Sequence, residues 1–233
     1  MGDLPLWAWV LVSVGGFWLL ISAVGFLPGV LLRFSSFAPV DDGRDVVERA
    51  MGAVGHEWFA GSGFEARGAV RPLGIPIALF RHAGGQTCLA VYFAGDKPVI
   101  DFVTAFPNHV GVTTSSTIDG VTVPNSSGAL NESFPHATID ELWAAHRESL
   151  EVLRGHLGVG PEPIGEVHEA MRDAVARQIG GALARPWRIL TIPYRYGVLR
   201  FTRRNVSVAA QIDRGIVDVD ALVNQATGRD GMY

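Results

Sequence analysis

The stretch PIALFRHAGGQTCLAVYFAGDKPVIDFVTAF, residues 76–106, decides the fold class of this chain. It holds three apolar runs, rich in Val, Ile, Leu and Phe, which are separated by Gly84-Gly85 and by Gly95-Asp96. Short β-prone runs separated by tight-turn residues are typical of successive antiparallel hairpins. Because no helix lies between the runs, the pattern argues against a doubly wound parallel sheet.

Further short runs flank this stretch. FEARGAVRPL precedes it, and HVGVTTSST and VTV follow it, with turn residues between them. Together the runs predict a meander of antiparallel strands over residues 64–123. The next stretch, VPNSSGALNESFPHA at residues 123–137, is predicted to form a polar loop.

The clearest helix signal follows that loop, in TIDELWAAHRESLEVLRGHLG at residues 138–158. Thr138 and Glu141 have the spacing of a capping box, and Gly158 is placed to end the helix. One apolar face is predicted to be buried, and it includes His146. We expect this imidazole to be a core histidine bonded to a backbone carbonyl, in preference to a ligand or a general base.

Other segments also have helical spacing. DDGRDVVERAMGAVGHEWF, residues 41–59, predicts a helix before the meander, with Asp41-Asp42 capping it. EVHEAMRDAVARQIGGALARP, residues 166–186, predicts another, and residues 206–226 read as a strand or turn and then a short helix. The predicted class is therefore α+β, with a single N-terminal transmembrane helix, an antiparallel β-meander and C-terminal helices packed on it.

The transmembrane helix is predicted from LWAWVLVSVGGFWLLISAVGFLPGVLL, residues 6–32, which contains no charged residue. About 20 helical residues cross a bilayer core, so the run is long enough to span one. It is too long, and lacks the basic start, for a cleavable signal peptide, so we expect an uncleaved anchor. The predicted organisation is an anchor at 1–33, a linker at 34–42 and one α+β domain at 43–233.

The basic residues nearest the apolar run, Arg33, Arg44 and Arg49, all follow it. The positive-inside rule then predicts a cytoplasmic C-terminal domain on a single-pass inner-membrane protein. Eighteen arginines against the single Lys97 are typical of a GC-rich bacterial genome. Small residues of the run are predicted to allow close helix packing in the membrane, and these are Gly15, Gly16, Gly25 and Gly29.

Motifs for catalysis and for cofactors are weak in this sequence. No phosphate-binding or dinucleotide-binding glycine motif is found, and no cofactor or metal is expected. Ser62 in AGSGF resembles a nucleophile only loosely, and a turn serine is the simpler interpretation. Cys88 is predicted to be a buried small hydrophobe, although a site combining it with His82 and His109 stays open as an alternative.

The most unusual feature is RPWRILTIPYRYGVLRFTRR at residues 185–204, called here the arginine-rich segment. No acid occurs between Asp173 and Asp213, while seven arginines do, in a chain whose net charge is −4. Such asymmetry indicates an anionic neighbour. Its candidate interface residues are Arg185, Trp187, Arg188, Tyr194, Arg195, Tyr196, Arg200, Phe201, Arg203 and Arg204.

Three neighbours fit this composition, namely an acidic partner subunit, membrane lipids with anionic headgroups, and nucleic acid. The last is not expected, because no nucleic-acid-binding motif accompanies the segment. A solvated basic edge strand is the plain structural alternative. We therefore expect a membrane-anchored, non-catalytic accessory or assembly subunit of a larger bacterial membrane complex. It docks through the transmembrane helix and the basic aromatic surface. The alternative is a membrane-tethered hydrolase that uses Ser62 or a histidine.

Overall fold

The computed structural model describes residues 5–33, 35–118, 128–183 and 186–229. Within them a long N-terminal helix, α1 (Leu6–Arg33), precedes a mixed α and β domain built on one six-stranded sheet. The α+β class with a mostly antiparallel sheet and C-terminal helices is confirmed. The predicted VTV strand, residues 121–123, lies outside the described residues.

The sheet keeps the chain order of its strands, from β1 to β6. The strands are β1 (Phe64–Val70), β2 (Ile77–His82), β3 (Thr87–Ala94), β4 (Lys97–Ala105), β5 (Gly111–Ser115) and β6 (Ala129–Ser133). Strands β1 to β5 pair antiparallel, as the turn residues predicted. Strands β3 and β4 are joined by the two-residue turn Gly95-Asp96, and Ala94 pairs with Lys97 across it. Gly95 has a φ of 64°. A left-handed backbone there favours glycine.

Strand β6 was not predicted, because its residues read as part of the polar loop. It pairs parallel to β5, with Leu130 opposite Val112. Leu130, Glu132 and Ser133 are all buried. The strand is therefore defined by partners contributed by the rest of the fold and not by its own composition.

Seven α-helices of six residues or more occur in the described ranges, α1 and six others. The others are α2 (Gly43–Val54), α3 (His56–Ser62), α4 (Ile139–Leu157), α5 (Val167–Leu183), α6 (Val208–Asp213) and α7 (Val219–Ala226). The capping box of α4 and the left-handed Gly158 at its end are confirmed. The helix expected at 41–59 is divided at Gly55, whose φ is 120°. The side chain of Asp42 makes no cap and instead pairs with Arg71.

Helices cover both faces of the sheet. On one face α2, α3 and α4 bury an aromatic cluster that includes Phe64, Phe80 and Phe102. On the other face α5 and the segment before α2 cover Leu79, Ala90 and Cys88. A sheet covered on both faces requires nearly continuous apolar strands, which explains the uninterrupted run at β3. Burial raises the pKa of the Cys88 thiol to about 12, in agreement with the predicted buried role.

A chain of polar side chains runs through this core. The ring of His146 on α4 is fully buried, with Nε2 at 2.9 Å from Thr104 Oγ1 and Nδ1 at 2.8 Å from Thr114 Oγ1. Thr114 Oγ1 donates to Glu132 Oε2 at 2.7 Å. The expectation of a core histidine is confirmed, but the expected carbonyl partner is wrong. Two threonine hydroxyls on neighbouring strands take its place.

The hydrogen bonds that link these polar side chains all run from donor to acceptor in the same direction. With Glu132 ionised, Thr114 donates to the carboxylate, so its oxygen accepts the Nδ1 proton of His146. Nε2 then accepts from Thr104, whose oxygen lies 2.9 Å from Thr87 Oγ1. Burial lowers the pKa of His146 to about 3, and it raises the pKa of Glu132. The imidazole is therefore neutral in the folded protein at neutral pH.

We expect acid to destabilise the fold partly through His146. The unfolded chain protonates this residue near pH 6.5, whereas the native ring resists protonation down to about pH 3. The unfolded state thus binds more protons in this window, so the free energy of unfolding falls as pH decreases, by at most about 1.4 kcal/mol per pH unit. The measurement is denaturant unfolding of the full chain in detergent between pH 7 and pH 4, with His146→Gln beside the wild type.

The variant isolates the imidazole because the other histidines, and the opposing contribution of Glu132, are present in both proteins. The wild-type curve should fall more steeply with acid than the His146→Gln curve. Parallel pH profiles for the two proteins would show that the native ring is not held neutral.

Candidate functional site

The arginine-rich segment is not an edge strand, so that alternative is wrong. Its described part consists of short helical turns at Pro186–Thr191, Ile192–Tyr194, Arg195–Leu199 and Arg200–Thr202. The first two turns, together with α5, pack along α1. The predicted anchor and the predicted docking segment therefore pack against each other. The spacing of residues in the sequence did not reveal this contact.

A hydrogen bond fixes this packing at a defined height on α1. The indole Nε1 of Trp18 donates to the Leu190 carbonyl at 2.7 Å. One turn further along α1, Ser22 is 1% exposed and donates to the Trp18 carbonyl at 2.8 Å. A small residue permits close approach of helices, so Ser22 and Trp18 mark the face of α1 that contacts the segment.

The remaining surface of α1 and of the segment is apolar and exposed. α1 is long and apolar enough to cross a membrane over Trp7–Val24, and almost none of that window is buried within the chain. The segment adds large exposed side chains of its own, and these are Trp187, Leu190, Tyr194, Tyr196, Val198 and Phe201. Large exposed apolar patches on a protein surface typically mark contact with a membrane or a partner. We call the exposed face of α1 and the segment the aromatic-basic surface.

The arginines of this surface differ in their surroundings. Arg195 Nε donates to Thr191 Oγ1 at 3.0 Å within the segment. Arg203 is half-buried and Arg204 is exposed, and neither forms an ion pair with any described acid. Arg185, and the side chains of Arg188 and Arg200, lie outside the described residues.

The segment is tied back to the sheet immediately after these arginines. The Asn205 N–H donates to the Ser133 carbonyl on β6 at 2.6 Å. The Val208 N–H then donates to Glu132 at 2.5 Å, and Ser149 donates to the same carboxylate oxygen at 2.5 Å. Arg203 and Arg204 are thus held where the domain meets the aromatic-basic surface.

The structure describes the surroundings of two of the four glycines that were predicted to pack in the membrane. Gly15 and Gly16 have open space beside them, with no atom within 4 Å of an added Cβ. They contact no described part of this chain, so their use by another helix stays a prediction. The surroundings of Gly25 and Gly29 lie outside the described residues.

A second candidate is a cleft of about 560 Å³ at the ends of α3 and β2. Two indoles, Trp58 and Trp143, line it, and its polar members are Glu57, Ser62, His82, Asp140 and Arg147. Trp58 Nε1 donates to Asp140 Oδ1 at 2.9 Å, which fixes one indole. Desolvation, followed by the Arg147 guanidinium, lowers the pKa of His82. The fold therefore does bring Ser62 and His82 to one cleft.

Their bonding does not make a nucleophile and base. Ser62 ends α3 and donates to the Phe59 carbonyl at 3.4 Å, and β1 follows it, whereas a nucleophile elbow follows a strand. His82 Nδ1 accepts from the Gly84 N–H at 3.1 Å, so the neutral ring carries its proton on Nε2. Neither ring nitrogen then offers a free lone pair to deprotonate Ser62. The other candidate base, His146, is fully buried with both nitrogens bonded.

The alternative metal site also finds no geometric support. Across the described residues, no group of three or more His, Cys, Asp or Glu side chains is placed to hold a metal ion. Comparison of the chain with protein-family models, with curated proteins and with solved structures finds no match.

The cleft geometry gives an expectation for the hydrolase alternative. Ser62→Ala and His82→Gln should leave hydrolysis of small chromogenic esters at the same background rate as the wild type, because no neighbouring base activates the Ser62 hydroxyl in the cleft. The assay uses the full chain in mild detergent, and circular dichroism checks that each variant is folded. Loss of a wild-type turnover in folded Ser62→Ala would establish the hydrolase function instead.

Proposed function

We propose that this chain is a membrane-anchored, non-catalytic accessory or assembly subunit of a larger membrane complex. α1 holds it in the bilayer, and the aromatic-basic surface docks against a neighbouring subunit. The observation that carries the proposal is the Trp18–Leu190 hydrogen bond, because it joins the anchor and the arginine-rich segment into one surface. The α+β domain is the body that presents this surface.

The arginines supply the specificity of docking. Arg203 and Arg204 have no acidic partner among the described side chains, so their charge is available to another molecule. Guanidinium groups form paired, charge-assisted bonds with carboxylates, and arginine and aromatic residues are enriched at protein interfaces. An acidic face on a partner subunit fits both features.

The experiment changes Arg195, Arg200, Arg203 and Arg204 together to Gln. Subunits that co-elute with the full chain from mild-detergent extracts should be lost from this variant, and for the wild type they should weaken as salt increases. The melting temperature should change little, since ion pairs of surface arginines typically contribute under about 1 kcal/mol. Mass spectrometry at two salt concentrations measures the co-eluting subunits.

A matched control removes the same amount of charge elsewhere, at Arg44, Arg154, Arg172 and Arg214, which are all exposed. This control should keep its partners. If both quadruple variants lost their co-eluting subunits equally, the loss would be explained by net charge and not by the position of the arginines. Unchanged co-elution from the segment variant would contradict docking through these arginines.

We propose further that the protein lies in a bacterial inner membrane with its α+β domain in the cytoplasm. The support is the charge distribution, with no Lys or Arg before α1 and Arg33, Arg44 and Arg49 after the apolar window. A C-terminal alkaline phosphatase fusion should be inactive, and a fluorescent-protein fusion at the same point should be bright. An active phosphatase fusion would reverse the orientation.

A further inference from the structure

The position of the arginine-rich segment along α1 determines how deep it lies in a membrane that α1 crosses. A bilayer core requires about 20 helical residues, and α1 offers 28. Every 20-residue window that fits within Leu6–Arg33 therefore contains Trp18. The apolar window itself, Trp7–Val24, has its middle between Gly15 and Gly16. Trp18 therefore lies on the domain side of that middle, about six residues or about 9 Å of helix from the end nearer the domain.

Leu190 shares this depth, because its carbonyl accepts from the Trp18 indole at 2.7 Å. We infer that residues 186–202 are embedded in the leaflet nearest the domain, with their exposed apolar side chains against lipid. The inference rests on the anchoring role of α1 in the function proposed above. It does not depend on the partner subunit, since lipid surrounds any part of this surface that a partner leaves open.

The exposed side chains fit lipid as the occupant. Trp187 is 63% exposed and Phe201 is 61% exposed, values comparable with Trp7 on α1 at 66%. Because the segment packs on α1, its exposed apolar side chains adjoin the helix face that lipid must cover when α1 spans. Segments that lie in a membrane interface combine such aromatic faces with arginines and enter about 5–10 Å.

The backbone also meets the requirement that lipid imposes. Polar groups in the hydrocarbon region have to be paired within the protein. The segment is built of helical turns, so its N–H groups can bond to its own carbonyls, as Arg203 N–H does to Leu199 at 2.9 Å. The same requirement applies to the Trp18 indole, which would otherwise be an unpaired donor inside the bilayer, and the Leu190 carbonyl satisfies it.

The last two arginines of the segment lie on the domain side of the membrane interface. Arg203 and Arg204 precede Asn205, which is bonded to Ser133 at the sheet. Their side chains are therefore near the domain, while Leu190 is held at the height of Trp18 on α1. Long arginine side chains reach headgroup phosphates from such positions and keep their charge in the polar layer.

The experiment places one nitroxide label at a time on the purified full chain in phosphatidylcholine–phosphatidylglycerol vesicles. Labels at Leu190→Cys and Phe201→Cys report on the segment, Leu19→Cys on α1, and the exposed Glu57→Cys on the cleft rim. Cys88 is the only native cysteine and is buried with a raised pKa, so the unmodified chain should take up no label. Accessibility to oxygen and to a water-soluble nickel chelate is measured at each site.

We expect both segment labels to follow the Leu19 label, with several-fold more oxygen and less nickel contact than the Glu57 label. Segment labels that behave like Glu57 while Leu19 remains lipid-exposed would overturn the inference and leave the anchor intact. A water-exposed Leu19 label would overturn the inference and the proposed anchor together.

A second variant tests the hydrogen bond that sets the depth. Trp18→Phe, combined with the Leu190 label, should raise nickel contact several-fold because the indole donor is lost. Trp9→Phe is the matched control, since Trp9 is exposed on the same helix and its indole makes no hydrogen bond to a described residue. Equal nickel contact in the two variants would show that Trp18 does not hold the segment in the leaflet.

Discussion

The carboxylate of Glu132 is the constraint on which the rest of the domain depends. It lies on the strand that pairs parallel to β5, and it accepts from Thr114 on that neighbour, from Ser149 on α4 and from the backbone of Val208. Burial of an acid is costly unless it is hydrogen-bonded, and these three donors satisfy both oxygens of the carboxylate. The same bonds position the sheet, the longest domain helix and the chain that returns from the arginine-rich segment.

That return explains how a segment made of short helical turns is held in place. One end is fixed at the sheet by the Asn205 and Val208 N–H groups, and the other is fixed to α1 by the Trp18 indole. Arg203 and Arg204, next to the Asn205 attachment, are thereby held close to the sheet.

Local chemistry explains which elements were predictable. The capping box of Thr138 and Glu141 and the two-residue turn after Ala94 depend on residues within four positions of each other, so the sequence shows them directly. The edge-strand interpretation of the arginine-rich segment was wrong, because alternation of arginine with aromatic residues fits a helical turn against another helix equally well. Trp18 was the one signal of that contact, since an indole in the middle of an apolar helix requires an acceptor.

The sequence by itself determined the apolar α1, the meander of β1 to β5 and the amphipathic α4, because hydrophobic period, turn glycines and caps act over a few residues. Only the tertiary structure decided that β6 is a strand, that His146 bonds to two threonines and that the arginine-rich segment lies on the anchor. These features depend on partners far apart in the chain, 172 residues for Trp18 and Leu190. No local pattern records such a separation, because the energy that selects it comes from satisfying buried polar groups once the layers have packed.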